Sequence, residues 1–236
     1  MTGVTAVLFG LDGTLCEQRR PSREVLATAF DRVGVDPFFT VEEYRREARE
    51  IGGTGSVVDR RTTCFERLAR RKGRSPDLGR LVADAYEVTR DYTDVRLLPG
   101  AGKALDALAD RYDLGLVTNG GPDTQSPKID ALRLRSVFDA TVLAGYETAP
   151  KPDPEPFEVA MAALDASPAE TVHVGTSPRA DVAGAAASGV ESAWIASETD
   201  GSTPSGEEPD YVRRSIRDLL PPPWRRESAQ STDRQE

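Results

Sequence analysis

Four short segments carry the side chains that chemistry would need: VLFGLDGTL near the N-terminus, LVTNGG ending at Gly121, KPDPEPF beginning at Lys151, and HVGTSPRADVAGA beginning at His173. Between them they supply carboxylates at Asp12 and Asp181, hydroxyls at Thr118 and Thr176, a carboxamide at Asn119 and an ammonium at Lys151. Carboxylates and hydroxyls suit proton transfer or a hard cation, and an ammonium beside a hydroxyl suits an oxyanion. Singly these segments are weak signals, because DGT, TNG and KPDP all occur in ordinary loops. Basic side chains are almost all Arg, and only Lys72, Lys103, Lys128 and Lys151 are lysines, so each lysine merits attention. Cys16 and Cys64 have neither a disulfide framework nor metal-ligand spacing and read as reduced thiols. The only histidine, His173, lies mid-strand in TVHV and reads as a packed structural residue; Trp194 and Trp224 carry no specific signal.

The four segments gain weight from the elements that position them. Thr5 to Phe9 is a short apolar run that ends in the turn-prone Gly10-Leu11-Asp12-Gly13. Further strand candidates lie at 114–117, 141–143, 171–174 and 192–195, separated by helical patterns. This alternation predicts an α/β, Rossmann-like fold: a mainly parallel sheet sandwiched by helices, with its ligand site at the C-terminal ends of the strands. Asp153 and Pro154 open a helix with its stripe on Phe157, Ala160, Met161 and Leu164, and another helix runs from about Arg179 to Gly189.

Between the first strand and the second the periodicity is helical. Ser22 is placed to cap a stripe of Val25, Leu26, Ala29, Phe30 and Val33. Thr40 and Glu43 form a capping box, and a further stripe runs through Leu78, Leu81, Val82 and Ala85. These residues predict an inserted helical domain over 16–95 and a core formed by 1–15 and 96–220. Tyr211 to Leu220 reads as a last short strand and helix, and 221–236 as a disordered tail.

In this order and on this alternating pattern, the four segments resemble the motifs of the haloacid dehalogenase-like superfamily, in the subclass with a helical cap inserted after the first motif. The resemblance covers roughly residues 4–199. It implies a small-molecule phosphohydrolase in which the first of two aspartates attacks phosphorus and the second acts as general acid and base. Asp12 matches the second; the nucleophile's position is occupied by Gly10, which has no side chain for attack. Thr118, with Asn119 beside it, matches the phosphate-binding motif, and Lys151 matches the charge-stabilising lysine. A Mg2+ site is implied from the Asp12 backbone carbonyl and the fourth motif, where Thr176 replaces one carboxylate and Asp181 remains. With two carboxylates missing, metal binding is expected to be weak.

A net charge of −9 argues against nucleic acid and anionic membranes as partners. No apolar run approaches a membrane span and the start lacks a basic leader, so the sequence predicts a cytoplasmic protein. Its expected partner is a small phosphorylated molecule. Arg45, Arg46, Arg60 and Arg61 either reach over such a ligand or form a solvated face. Two functional readings stay open. Full catalysis of phosphate-monoester hydrolysis can require roughly 28 kcal/mol of barrier lowering, at about 1.36 kcal/mol per tenfold. Positioning supplies about 7 to 11 kcal/mol. One reading is therefore an impaired or inactive phosphatase scaffold, with slow Mg-dependent hydrolysis as its active limit. The other is a non-catalytic protein that binds a phosphorylated ligand for regulation.

Overall fold

A computed structural model describes residues 3–51, 57–196 and 206–224. The chain opens with strand β1 (Ala6–Phe9), fully buried, followed by a turn and a short strand β2 (Cys16–Gln18). Helices α1 (Ser22–Val33), α2 (Val41–Ile51), α3 (Val57–Arg71) and α4 (Pro76–Thr89) come next. Strand β3 (Val95–Leu97) then pairs antiparallel with β2, so the two strands form a stem beneath the helices. The chain continues through α5 (Ala101–Ala109), β4 (Asp113–Asn119), α6 (Pro122–Ala131), β5 (Ala140–Ala144), α7 (Glu155–Ala163) and β6 (Thr171–Gly175). A π-helical turn at Pro178–Val182 leads into α8 (Ala183–Ala187), then β7 (Glu191–Ile195), β8 (Tyr211–Arg213) and a 3-10 turn at Ile216–Leu219.

The main sheet has six strands in the order β5-β4-β1-β6-β7-β8, all pairs parallel. It matches the α/β, mainly parallel architecture that the alternating pattern predicts. Side chains alternate across it, as a strand's period of two requires. Val7 and Phe9 face a core with Leu105, Leu108 and Ile129, while Ala6 and Leu8 face one with Phe157, Met161 and Ala185. Sheet order runs outward from β1 in both directions, which puts the crevice at the C-terminal ends of β1, β4 and β6.

The helices over 22–89 have their own apolar centre, built on Phe30, Phe39, Phe65, Val82 and Tyr86. Its rings meet edge to face, with Phe39 and Phe65 at 4.7 Å and Phe65 and Tyr86 at 5.7 Å. Glu47 of α2 is buried against Arg67 and Arg71 of α3, at 2.7 and 2.6 Å. The capping box forms: Glu43 N–H donates to Thr40 Oγ1 at 3.3 Å, and Thr40 N–H donates to Glu43 Oε2 at 2.9 Å.

Three expectations need correction. Ser22 is the first residue of α1 and caps nothing; Pro21 occupies the cap position. Leu81 is exposed, because α4 turns Val82, Ala83 and Tyr86 inward instead. The tail does not begin at 221: Trp224 is buried against Tyr112 and Tyr211, with ring centroids 6.2 Å away in each case. The rest of the expected disordered tail, 225–236, lies outside the described residues.

Candidate functional site

The site is assembled where β1, β4 and β6 end. Gly10 leaves β1 with its N–H donating to Val174 O at 2.9 Å, so its backbone is fixed by the neighbouring strand. A Cβ placed on Gly10 would lie 3.0 Å from Thr14 Oγ1 and 3.7 Å from Asp181 Oδ1. Thr14 is 1% exposed, and its hydroxyl has no hydrogen-bond partner among the described residues. The first loop therefore leaves a small space beside Gly10 with an unpaired hydroxyl on its edge.

Asp181 forms the deep end. Lys151 Nζ donates to its Oδ1 at 2.6 Å, and His173 Nε2 lies 3.0 Å from the same oxygen. The backbone N–H groups of Thr176 and Ser177 donate to Oδ2 at 3.0 and 2.8 Å. Gly175 permits this closeness, since a Cβ there would fall 2.3 Å from the Asp181 carboxyl carbon. Burial opposes charge on Asp181, but Lys151 and His173 outweigh it and hold the carboxyl far below the usual carboxylate range. Burial pushes His173 down, against the pull of Asp181. Phe157 packs edge-on to it at 4.9 Å.

Lys151 is held from several sides. Its Nζ also donates to Val117 O at 2.6 Å. Asn119 brackets its backbone, accepting from Lys151 N at 2.9 Å and donating to Lys151 O at 3.1 Å. Asn119 thus positions the lysine, a role its place in TNGG did not reveal. Thr118 is buried beside it at the end of β4.

Asp12 forms the outer end, and its partner was not foreseen. Lys128 Nζ, from α6, donates to Oδ1 at 2.8 Å and Oδ2 at 2.7 Å. Gln125, one turn earlier, donates to Asp12 Oδ2 at 3.3 Å and to Asn119 O at 2.9 Å, and accepts from Lys128 at 3.3 Å. Gly120 allows this packing: its φ is +137°, and a Cβ there would meet Gln125 at 2.6 Å. The only sequence signal for Lys128 was the scarcity of lysine. Trp194, which carried no signal at all, donates from Nε1 to Thr176 O at 2.9 Å and so fixes that loop.

A cleft of about 370 Å3 opens from Asp12 and Gly13 toward the stem and the first two helices, with Glu17, Arg20, Arg23 and Arg45 on its walls. Of the four arginines singled out in the sequence, Arg45 lines this cleft. Arg61 corrects the solvated-face reading: it is buried in an ion pair with Glu87 and packs over the Tyr86 ring at 4.9 Å. Among the described residues no helix is long and apolar enough to cross a membrane.

The donor set does not fit a hard divalent cation. Asp181, expected as a ligand, already receives four donors, as many as a carboxylate has lone-pair sites. One of them is an ammonium, which a cation would have to face. Asp12 offers its carbonyl and Thr176 its hydroxyl, but among the described residues no group of three His, Cys, Asp or Glu side chains is arranged to hold a metal.

A parallel α/β sheet with a charged pocket at its switch point and helices over the entrance defines a class of hydrolase-like folds. The sequence match places the chain within it: residues 4–189 match the haloacid dehalogenase-like hydrolase family, and the protein belongs to that family. It is similar to a phosphoserine phosphatase of Thermus thermophilus, at 30% identity over 219 residues, which are 80% of this chain and 87% of the relative. It is also similar to a ribulose-1,5-bisphosphate 5-phosphatase of Halopiger xanaduensis, at 31% identity over 201 residues, covering 79% and 82%. In fold it resembles the HAD-hydrolase YfnB of Bacillus subtilis, a structure bound to magnesium, with a TM-score of 0.71 and 22% identity over 93% of this chain and 98% of that one.

Proposed function

We propose that this pocket binds a small phosphorylated molecule and does not hydrolyse it by the covalent route of its family. The observation that carries this reading is Gly10. It occupies the position where the family resemblance expects the nucleophile, at the end of the central strand, and has no atom with which to attack phosphorus. The relatives named above are phosphatases of small phosphorylated compounds, which supports the ligand class.

In this reading Thr118 and Lys151 hold the phosphoryl oxygens, with Asn119 and Asp181 keeping Lys151 in place. The chemistry left is weak. Asp12 is the remaining candidate acid or base, but both its oxygens accept from Lys128. Thr176 stands where the family resemblance expects a second acid and contributes a hydroxyl only. Residues 16–95 act as the cap that sets ligand choice, with Arg45 on the wall of the shared cleft. We place the protein in the cytoplasm, where phosphorylated metabolites are found and where the unpaired Cys16 and Cys64 would remain reduced.

The test is a thermal-shift panel of phosphorylated metabolites on the full chain. At least one should raise the melting temperature, as a ligand selective for the folded state must, and Thr118→Val should diminish that rise. If neither phosphate nor any phosphorylated metabolite raises it, the reading fails.

A further inference from the structure

A phosphate group at the ends of β1 and β4 fills only the inner part of the space open to a ligand. The cleft that starts at Asp12 and Gly13 continues past the stem to the first turns of α1 and α2. Its volume of about 370 Å3 falls in the size range of small-ligand sites, about 300–1,000 Å3. The side chains on its walls meet whatever the phosphate is attached to.

We propose that these walls form a second anion subsite, so that the ligand carries a further anionic group besides its phosphate, a carboxylate or a second phosphate. The inference rests on the phospho-ligand reading above and names the class of phosphorylated molecule. The first support is the charge left on the walls once neighbouring pairs are matched. Asp12 is paired with Lys128 at 2.7 Å, and Glu17 with Arg96 at 2.8 Å. Arg23 lies 3.7 Å from Glu24, outside the lining. Arg20 and Arg45 remain, with Glu42 as the one acid facing them, and neither arginine forms an ion pair among the described residues. The walls thus keep a net positive charge in a chain whose total is −9. A local excess of the opposite sign is a recognition feature, because the chain's overall field repels anions.

The second support is that Arg20 is held ready. It is half-buried where the stem meets α1, and its Nη2 donates to Thr28 Oγ1 at 2.6 Å. A guanidinium has five N–H donors in a planar fork, so the bond to Thr28 orients it and leaves donors for the two oxygens of a carboxylate or phosphate. Less side-chain freedom is then lost when a ligand arrives. The start of α1 acts in the same direction: Pro21, Ser22 and Arg23 line the cleft, and no side chain caps the first N–H groups of that helix.

The test is titration calorimetry on the full chain at fixed pH and ionic strength, with inorganic phosphate and two matched pairs of ligands. One pair is glycerol 3-phosphate and 3-phosphoglycerate, which differ by a carboxylate; the other is fructose 6-phosphate and fructose 1,6-bisphosphate. In at least one pair the doubly anionic member should bind about tenfold tighter or more, and the pair that responds identifies the second group. With Arg20→Met and Arg45→Met combined, that preference should shrink to about twofold or less. Arg135→Met, which removes an exposed guanidinium on the loop before β5, should leave it unchanged. Binding of phosphate or the singly anionic ligands with no gain from either second group overturns the subsite and leaves the phospho-ligand reading standing. Absence of binding by every probe, phosphate included, overturns both. A preference that survives loss of both arginines, or that falls equally in Arg135→Met, also overturns the subsite. Should the double variant fail to fold, Arg45→Glu at its exposed position decides: the preference should drop by about threefold or more, and an unchanged preference refutes the proposal.

Discussion

The pocket holds two lysine–aspartate pairs that look alike in distance and differ in setting. Lys151 and Asp181 approach to 2.6 Å with side chains 4% and 8% exposed; Lys128 and Asp12 approach to 2.7 Å with 4% and 46%. In the first pair both charges are dry and the carboxylate's acceptor sites are filled. In the second the carboxylate faces the cleft and water. Burial decides what each pair can do: the inner one fixes the architecture around Lys151, and the outer one, in the proposed reading, sets the charge that an entering ligand would meet.

The sharpest way to break this comparison is to remove one charge from the inner pair. Asp181→Asn leaves the Lys151 ammonium buried without a counter-ion and should cost about 3–5 kcal/mol in a denaturant titration. That corresponds to a loss of about 6 °C or more in melting temperature. A cost near that of an exposed pair would contradict the distinction. The same pair gives a pH signature. Because the Asp181 carboxyl is held below its unfolded value, its contribution is intact above about pH 4 and is lost as the pH falls further. Acid titration of stability should therefore be shallower in Asp181→Asn than in the unaltered chain.

Gly10→Asp should come next in size. The added carboxylate meets Thr14 Oγ1 and faces the ligand, so phosphate affinity should fall by about tenfold or more in EDTA. The outer pair should show a smaller stability effect. Lys128→Met ought to cost about 1 kcal/mol or less, since water screens the half-exposed Asp12 once its partner is gone. The smallest effect concerns the thiols. Burial first, then the Asp12 charge, pushes Cys16 up to about 12, and burial with Glu47 pushes Cys64 up to about 11. Native protein should resist alkylation at neutral pH by mass analysis, and both thiols should react once it is unfolded.

The sheet was legible because its strands are apolar runs closed by Gly-rich turns, as in AVLFG and TVHVG, where burial on both faces leaves a continuous hydrophobic signal. The stem was not: CEQ and VRL are three residues each, too short for any periodicity, and their pairing links Cys16 to Leu97 across the whole helical segment. Helix α3 was hidden by its paired arginines, of which Arg61 turns inward onto Tyr86. Leu81 misled because a stripe by composition can sit beside the face that packing selects.

In the site, motif spacing brought out Asp12, Thr118, Lys151 and Asp181, all of which the fold brings to one end of the sheet. Their partners were invisible for a physical reason. Lys128 and Asp12 are separated by 116 positions, and nothing in PDTQSPKIDA distinguishes a buried ammonium from a surface one. Likewise His173 read as core packing, which it is, while its hydrogen bond to Asp181 depends on the π-helical turn that returns the carboxylate to β6.

The central claim is that the pocket retains ligand binding without the family's covalent chemistry. Its most direct test is phosphate release from an aryl phosphate by purified protein in excess Mg2+, under conditions where phosphate itself is shown to bind. The expected result is no turnover beyond a slow residual rate, while bound phosphate still raises the melting temperature. Release at ordinary phosphatase rates would contradict it.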